Sequence, residues 1–191
     1  MLKRWFQKAT PVGIVASLLL IVLSSCSSTA TSPGTSQPST SKSSSSSSES
    51  SAPIIPTGQP ANPVKQVTID VEVTGDTVVI PLDKVTSNLN TRFKLATDEG
   101  EMTFMAYVWD GQLNVRADIC PPCRSKSFTL AKGTLVCDAC GTVFNAVNGQ
   151  GIKGACVAYP KESAAFQVSG NNILVGKANL VTAYKNTLKA G

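Results

Sequence analysis

Polar and apolar residues alternate from Val67 to Val73, the period of a half-buried strand, and Gly75-Asp76 turns this segment into a second one at Thr77–Ile80. Thr91–Ala96 and Met102–Trp109 are further predicted strands, joined by the turn Asp98-Glu99-Gly100, and Asp110-Gly111 leads on to Leu113–Ala117. Ala165–Val168 and Ile173–Val175 flank Ser169-Gly170-Asn171-Asn172, a good hairpin turn. The tail Leu180–Tyr184 fits either a last strand or a short helix. These elements predict a mainly β fold, a small sandwich or barrel-like domain over residues 61–191. A β-rich domain of about 130 residues builds its own core without help from a metal. Phe93, Met102, Phe104, Met105 and Trp109 are accordingly read as core or interface rather than ligands.

Two stretches ahead of that domain follow other patterns. Basic Lys3, Arg4 and Lys8 precede an apolar run of twelve residues, Val12 to Leu23. A membrane-spanning helix needs about 20 apolar residues, so residues 1–25 read as a signal peptide. Leu23-Ser24-Ser25-Cys26 then looks like a bacterial lipobox, with Cys26 as the lipidated first residue of the mature chain. Residues 26–60 are rich in serine and threonine with scattered proline. A segment with so little apolar surface cannot offset its ordering entropy, which predicts a disordered tether with an end-to-end distance of about 30 Å. The expected location is the outer face of a bacterial cell membrane, held there by the lipid anchor.

Charge narrows the partners. The formal net charge is +5. Setting aside Lys3, Arg4 and Lys8 leaves 14 basic against 12 acidic residues, which gives no argument for nucleic acid or an acidic substrate. The chain has no histidine, which excludes a Rieske centre, a Ser-His-Asp triad, a histidine-ligated zinc enzyme and c-type haem attachment. No acid, base and nucleophile set is visible, so hydrolase or transferase chemistry is not expected.

The chemistry lies in the cysteines. Five of six fall within 37 residues: Cys120-Pro-Pro-Cys123, thirteen residues with a strand-like excursion, Cys137-Asp-Ala-Cys140-Gly141, and Cys156. Two CxxC pairs at this separation are the spacing of a four-thiolate metal site, each pair a tight knuckle presenting two sulfurs. Cys120, Cys123, Cys137 and Cys140 are the expected ligands. Cys156 is expected beside them, as an exchangeable ligand or as a disulfide partner in the metal-free form. Arg124, Lys126 and Lys132 are read first as solvated loop charges and otherwise as partial balance for the thiolates. Gly149-Gln-Gly151-Ile-Lys-Gly154 matches GxGxxG, but no helix follows it, so it reads as a turn bringing backbone close to the cysteines. Structural disulfides and thiol–disulfide exchange remain open alternatives for the same cysteines.

Asp118-Ile119-Cys120-x-x-Cys123, Val136-Cys137-x-x-Cys140-Gly141-x-x-Phe144, and Gly151-x-x-Gly154-Ala155-Cys156 with Pro160 together resemble the FtrD-like membrane iron–sulfur domain. Val79-Ile80-Pro81-Leu82 and the stretch from Phe104 to Val115 are similar as well. The resemblance implies an iron–sulfur cluster or thiolate-bound iron, and an accessory role in iron handling or electron transfer beside a membrane iron-transport or redox partner. A binding module with structural zinc on four cysteines is the alternative.

The anchor generates a first prediction. Cys26→Ser abolishes membrane association and lipid labelling in cells; a variant that still partitions fully with membranes refutes the lipobox reading.

Overall fold

The computed structural model describes residues 54–191. The expected signal peptide, Cys26 and most of the serine-rich stretch lie outside the described residues. In chain order the elements are β1 (Val67–Thr68), β2 (Glu72–Thr74), β3 (Thr77–Pro81), α1 (Leu82–Asn88), β4 (Asn90–Thr97), β5 (Gly100–Trp109) and β6 (Gln112–Ala117). There follow β7 (Phe128–Ala131), β8 (Thr134–Cys137), β9 (Val143–Asn145), β10 (Gly151–Lys153), β11 (Phe166–Ser169), β12 (Asn172–Gly176) and α2 (Lys177–Thr187). The fold is mainly β, as the periodicity predicts. Its strands form three four-stranded sheets, ordered β1-β4-β5-β6, β10-β9-β8-β7 and β11-β12-β3-β2. Among the described residues none of them closes into a barrel.

Strand β5 organises the core. It is buried on both faces from Met102 to Trp109. Met102, Phe104, Ala106 and Val108 point into the larger of two hydrophobic clusters, with Phe93 and Leu95 of β4, Val78 and Ile80 of β3, Ile173 and Val175 of β12, and Tyr184 of α2. Phe104 stacks on Phe93 with ring centroids 5.6 Å apart and meets Tyr184 edge-on at 5.8 Å. The alternate residues Met105, Tyr107 and Trp109 point the other way, into a second cluster with Phe128, Leu130, Leu135, Phe144 and the cysteines. The five residues read from the sequence as core are all buried.

The cysteine-bearing sheet β7–β10 is tied to this frame by polar contacts. Asn90 Nδ2 donates to the carbonyls of Val64 and Phe128 at 2.9 and 3.1 Å, and Val64 bridges Leu130. The Tyr107 hydroxyl donates to the Ala146 carbonyl, while buried Arg116 donates to Tyr107 Oη and to the carbonyls of Val147 and Lys161. Each of these groups would otherwise be a buried polar atom without a partner.

Local pattern and tertiary pairing part company in two places, and packing decides a third that the pattern left open. The alternation over Val67–Val73 does not make one strand: β1 pairs in parallel with β4, whereas β2 pairs antiparallel with β3 in another sheet. Ile69 and Val71 pack against the larger core between the two, so period two persists while the partner changes. Helix α1, which the pattern does not suggest, begins after Pro81, buries Leu82 and Val85 three apart, and ends at Leu89 in the left-handed conformation (φ 60°). The tail is a helix, with Leu180, Ala183, Tyr184 and Thr187 buried at spacings of three, four and seven.

Because the larger cluster contains no cysteine, metal loss and unfolding are separable. Chelated protein retains most of its β signal by circular dichroism, while Phe104→Ala costs about 3–5 kcal/mol in denaturant unfolding. Complete collapse on chelation would contradict this division.

Candidate metal centre

Two short hairpins build the site. Cys120 ends the extended segment after β6, and its N–H donates to the Ser125 carbonyl at 2.8 Å, closing the first CxxC into a loop. Arg124 in that loop takes φ 57°. The second CxxC follows β8: Cys137 N–H donates to the Thr142 carbonyl and Gly141 N–H to the Cys137 carbonyl, both at 2.9 Å. Asp138 lies outside the sulfurs and accepts hydrogen bonds from the hydroxyls of Ser127 and Thr129. These bonds outweigh burial and hold its carboxyl below the usual range.

Cys156 arrives from β10 by a sharp return. Gly154 has φ +117°, and a Cβ there would stand 2.7 Å from the Thr142 Cα, so only glycine lets the two backbones lie this close. The GxGxxG segment is thus a close-approach turn beside the cysteines, as read from the sequence. Thr142, fully buried, joins two of them: its Oγ1 accepts from the Cys156 N–H at 3.2 Å and lies 3.2 Å from the Cys140 sulfur.

All five sulfurs meet. Those of Cys120, Cys123, Cys140 and Cys156 lie within 4.8 Å of one another. Cys120 to Cys140 is 3.9 Å, Cys140 to Cys156 is 3.7 Å and Cys123 to Cys137 is 3.6 Å. No pair is bonded, so the five are free thiols here. The tightest set of four therefore contains Cys156, where the spacing argument placed Cys137. The residues fit a metal: four thiolates about 2.3 Å from one tetrahedral ion stand about 3.8 Å apart, close to the 3.9 and 3.7 Å of Cys120–Cys140 and Cys140–Cys156.

Their environments differ. Burial pushes the Cys120 thiol up. Burial also raises Cys137, against hydrogen bonds from the Cys140 and Ala139 N–H groups and from Ser125. At Cys140 burial is outweighed by hydrogen bonds from the Thr142 hydroxyl and N–H and from Cys137 and Cys123, which bring it down to about 6. That thiol is the one most ready to ionise, and metal binding requires ionised thiols.

The loop charges lie toward solvent, as first read from the sequence. Arg124 and Lys132 are exposed and Lys126 is half-buried. The buried cation is Lys161, whose Nζ donates to the carbonyls of Ile119 and Tyr159 at 2.8 and 2.9 Å and sits 4.4 Å from the Phe144 ring centre. Its place in the chain carried no signal, because a lone lysine after Tyr159-Pro160 reads as surface. Asp118 is likewise buried, with Arg92 Nε at 3.6 Å and neither carboxylate oxygen hydrogen-bonded among the described residues. Burial, opposed by Arg92, Gln66 and Lys161, pushes its carboxyl up to about 7.

The sequence profile of the family described as "Membrane iron-sulfur containing protein FtrD-like" matches residues 85–186, more than half of the chain. Together with the sulfur cluster, this makes the chain a metal- or iron–sulfur-binding protein. No curated protein matches it. Among solved structures, the chain is similar to one described as a complex of reduced oxygenase and oxidized ferredoxin in carbazole 1,9a-dioxygenase. The identity is 18% over 46% of this chain and 81% of that one, with a TM-score of 0.39. It is also similar to the cyanobacterial plasma membrane Rieske protein PetC3 from Synechocystis PCC 6803, 32% identical over 43% of this chain and 82% of that one, with a TM-score of 0.33. At these scores neither overlap establishes a shared fold. No helix among the described residues is long and apolar enough to cross a membrane.

The Asp118 environment generates a pH prediction. Its folded-state value lies above its unfolded one, so the folded chain binds more protons between about pH 4 and 7 and the associated stability is lost as pH rises through that window. Asp118→Asn therefore flattens the dependence: between pH 5 and 8, denaturant unfolding shows a smaller loss for the variant than for wild type. Equal losses would remove Asp118 as the source.

Proposed function

Because the chain belongs to the membrane iron–sulfur-containing FtrD-like family, we propose that its cysteine cluster holds one thiolate-bound iron ion. In this reading the protein is an exported, lipid-anchored accessory for electron transfer or iron handling at the cell envelope. The observation that carries the reading is that the sulfurs of Cys120, Cys123, Cys140 and Cys156 all lie within 4.8 Å of one another, two of the pairs at 3.7 and 3.9 Å. A polynuclear cluster interposes several irons and sulfides between its cysteines and holds them farther apart; one tetrahedral ion does not. Bound there, the iron supplies a one-electron couple.

The chain's own residues account for the rest. Cys120, Cys123 and Cys140 belong both to the set expected from spacing and to the tightest set in space. Cys156 is proposed as the fourth ligand, because coordination is decided by where the sulfurs stand. Cys137, 3.6 Å from Cys123 and hydrogen-bonded by the Ala139 and Cys140 N–H groups, is the thiol best placed to exchange with it. Cys123 and Cys140 are half-buried, whereas Cys120, Cys137 and Cys156 are buried, so one side of the centre faces an incoming partner and the other faces the protein interior. That partner is proposed to be a membrane iron-transport or redox protein, reached from the Cys26 anchor across the serine-rich tether. No substrate bond is broken or made in this role.

Anaerobic purification with metal and sulfide analysis tests it. The expected protein is coloured and contains iron without inorganic sulfide. Colourless zinc protein would establish the binding-module alternative, and iron with stoichiometric sulfide would establish a cluster. Serine at Cys120, Cys123 or Cys140 abolishes metal retention, and Cys156→Ser weakens it more than Cys137→Ser does. The reverse order would make the two CxxC pairs the ligands.

A further inference from the structure

The structure contains a lysine that the functional reading has not used. Lys161 is fully buried, yet it makes no salt bridge among the described residues. Two of its three N–H donors reach the carbonyls of Ile119 and Tyr159, and the Phe144 ring lies beneath the nitrogen. Carbonyl dipoles and a ring face solvate an ammonium but leave its charge uncompensated, and an uncompensated buried charge is costly. Burial lowers the Lys161 pKa, and the negative charges that would oppose this and keep it protonated are those of Cys120, Cys137, Cys156 and Asp118. Asp118 already lies against Arg92 at 3.6 Å. The thiols are what remain.

Considerable structure goes into holding this lysine in place. Arg116 Nη1 donates to the Lys161 carbonyl at 2.8 Å, and the Lys161 N–H donates to the Gly149 carbonyl at 2.8 Å. A Cβ at Gly149 would collide with the Lys161 carbonyl oxygen, so the glycine is required for that contact. One donor of the side chain reaches Ile119, the residue before Cys120. The side chain is thereby fixed against the residue next to Cys120 and against Phe144, which packs in the same cluster as the cysteines.

We propose that Lys161 is the internal counter-charge of the thiolate centre and sets its reduction potential. The inference rests on the iron reading above. Four thiolates around ferric iron leave the centre with one net negative charge. A single electron from a one-electron donor converts ferric to ferrous iron and leaves two, with no bond made or broken. A fixed ammonium nearby stabilises the second charge more than the first, and so raises the potential; in a low-dielectric interior that difference is large. Lys161 touches no substrate and acts through the field it places on the sulfurs.

Two neutral variants separate charge from anchoring. Lys161→Met removes both the charge and the two hydrogen bonds, whereas Lys161→Gln removes the charge and keeps an amide donor. Both are expected to weaken ferrous relative to ferric binding by about tenfold, read as a midpoint about 59 mV lower in optical redox titration. The ferric spectrum and the melting transition serve as folding controls. A wild-type midpoint in either folded variant overturns the proposal, including the case in which only Lys161→Met shifts it, since that would make anchoring the cause. Wild-type protein that purifies with zinc instead would refute the iron reading separately. The same variants should then bind zinc about tenfold more weakly, and unchanged zinc affinity would overturn the role of Lys161.

Discussion

Everything in this molecule depends on one strand being buried on both faces. Strand β5 sends Phe104 and its alternates into a core built with β3, β12 and the two helices, and sends Met105, Tyr107 and Trp109 toward the cysteine-bearing sheet. A strand that is apolar on both sides cannot sit at a surface, so two layers must be recruited to cover it. The larger layer supplies stability. The smaller one uses its share of that burial to position sulfurs.

The division explains how a small sheet of three- and four-residue strands holds five thiols in register. Strands as short as β9 and β10 cannot fix a site alone. Here Phe128 and Phe144 meet edge-on at 6.0 Å over Tyr107 and Leu130, and Tyr107 and Arg116 grip the loop that carries Ala146 and Val147. The metal centre is therefore mounted on a preformed wall, and its two loops need only supply sulfurs and N–H groups.

The buried charges follow from the same arrangement. Arg116, Asp118 and Lys161 are all buried, where water is excluded. Arg116 is satisfied by hydroxyl, carboxamide and carbonyl oxygens, and Asp118 has Arg92 beside it. Lys161 has carbonyls, a ring and the thiols. A cluster of buried thiolates and a buried ammonium are each unfavourable alone and become compatible together, which is why the lysine is best understood with the sulfurs.

Much of this was legible in the chain, for local reasons. Two CxxC pairs thirteen residues apart signal a thiolate site because a knuckle is a property of four consecutive residues. Apolar segments bounded by turns marked strands of two of the three sheets, Met102–Trp109 among them, while the cysteine-bearing sheet showed only as a strand-like excursion between the CxxC pairs. Other features depended on contacts between residues distant in sequence. Whether Val67–Val73 stayed in one sheet was set by which edges were free, and the tail became helical because its apolar stripe met the core. The entry of Cys156 into the tightest group of sulfurs required Gly154 to pass against Thr142, twelve residues earlier in the chain. Lys161 reads as an ordinary surface lysine until the fold closes over it, because burial and the field at a point are sums over neighbours that only the tertiary structure assembles.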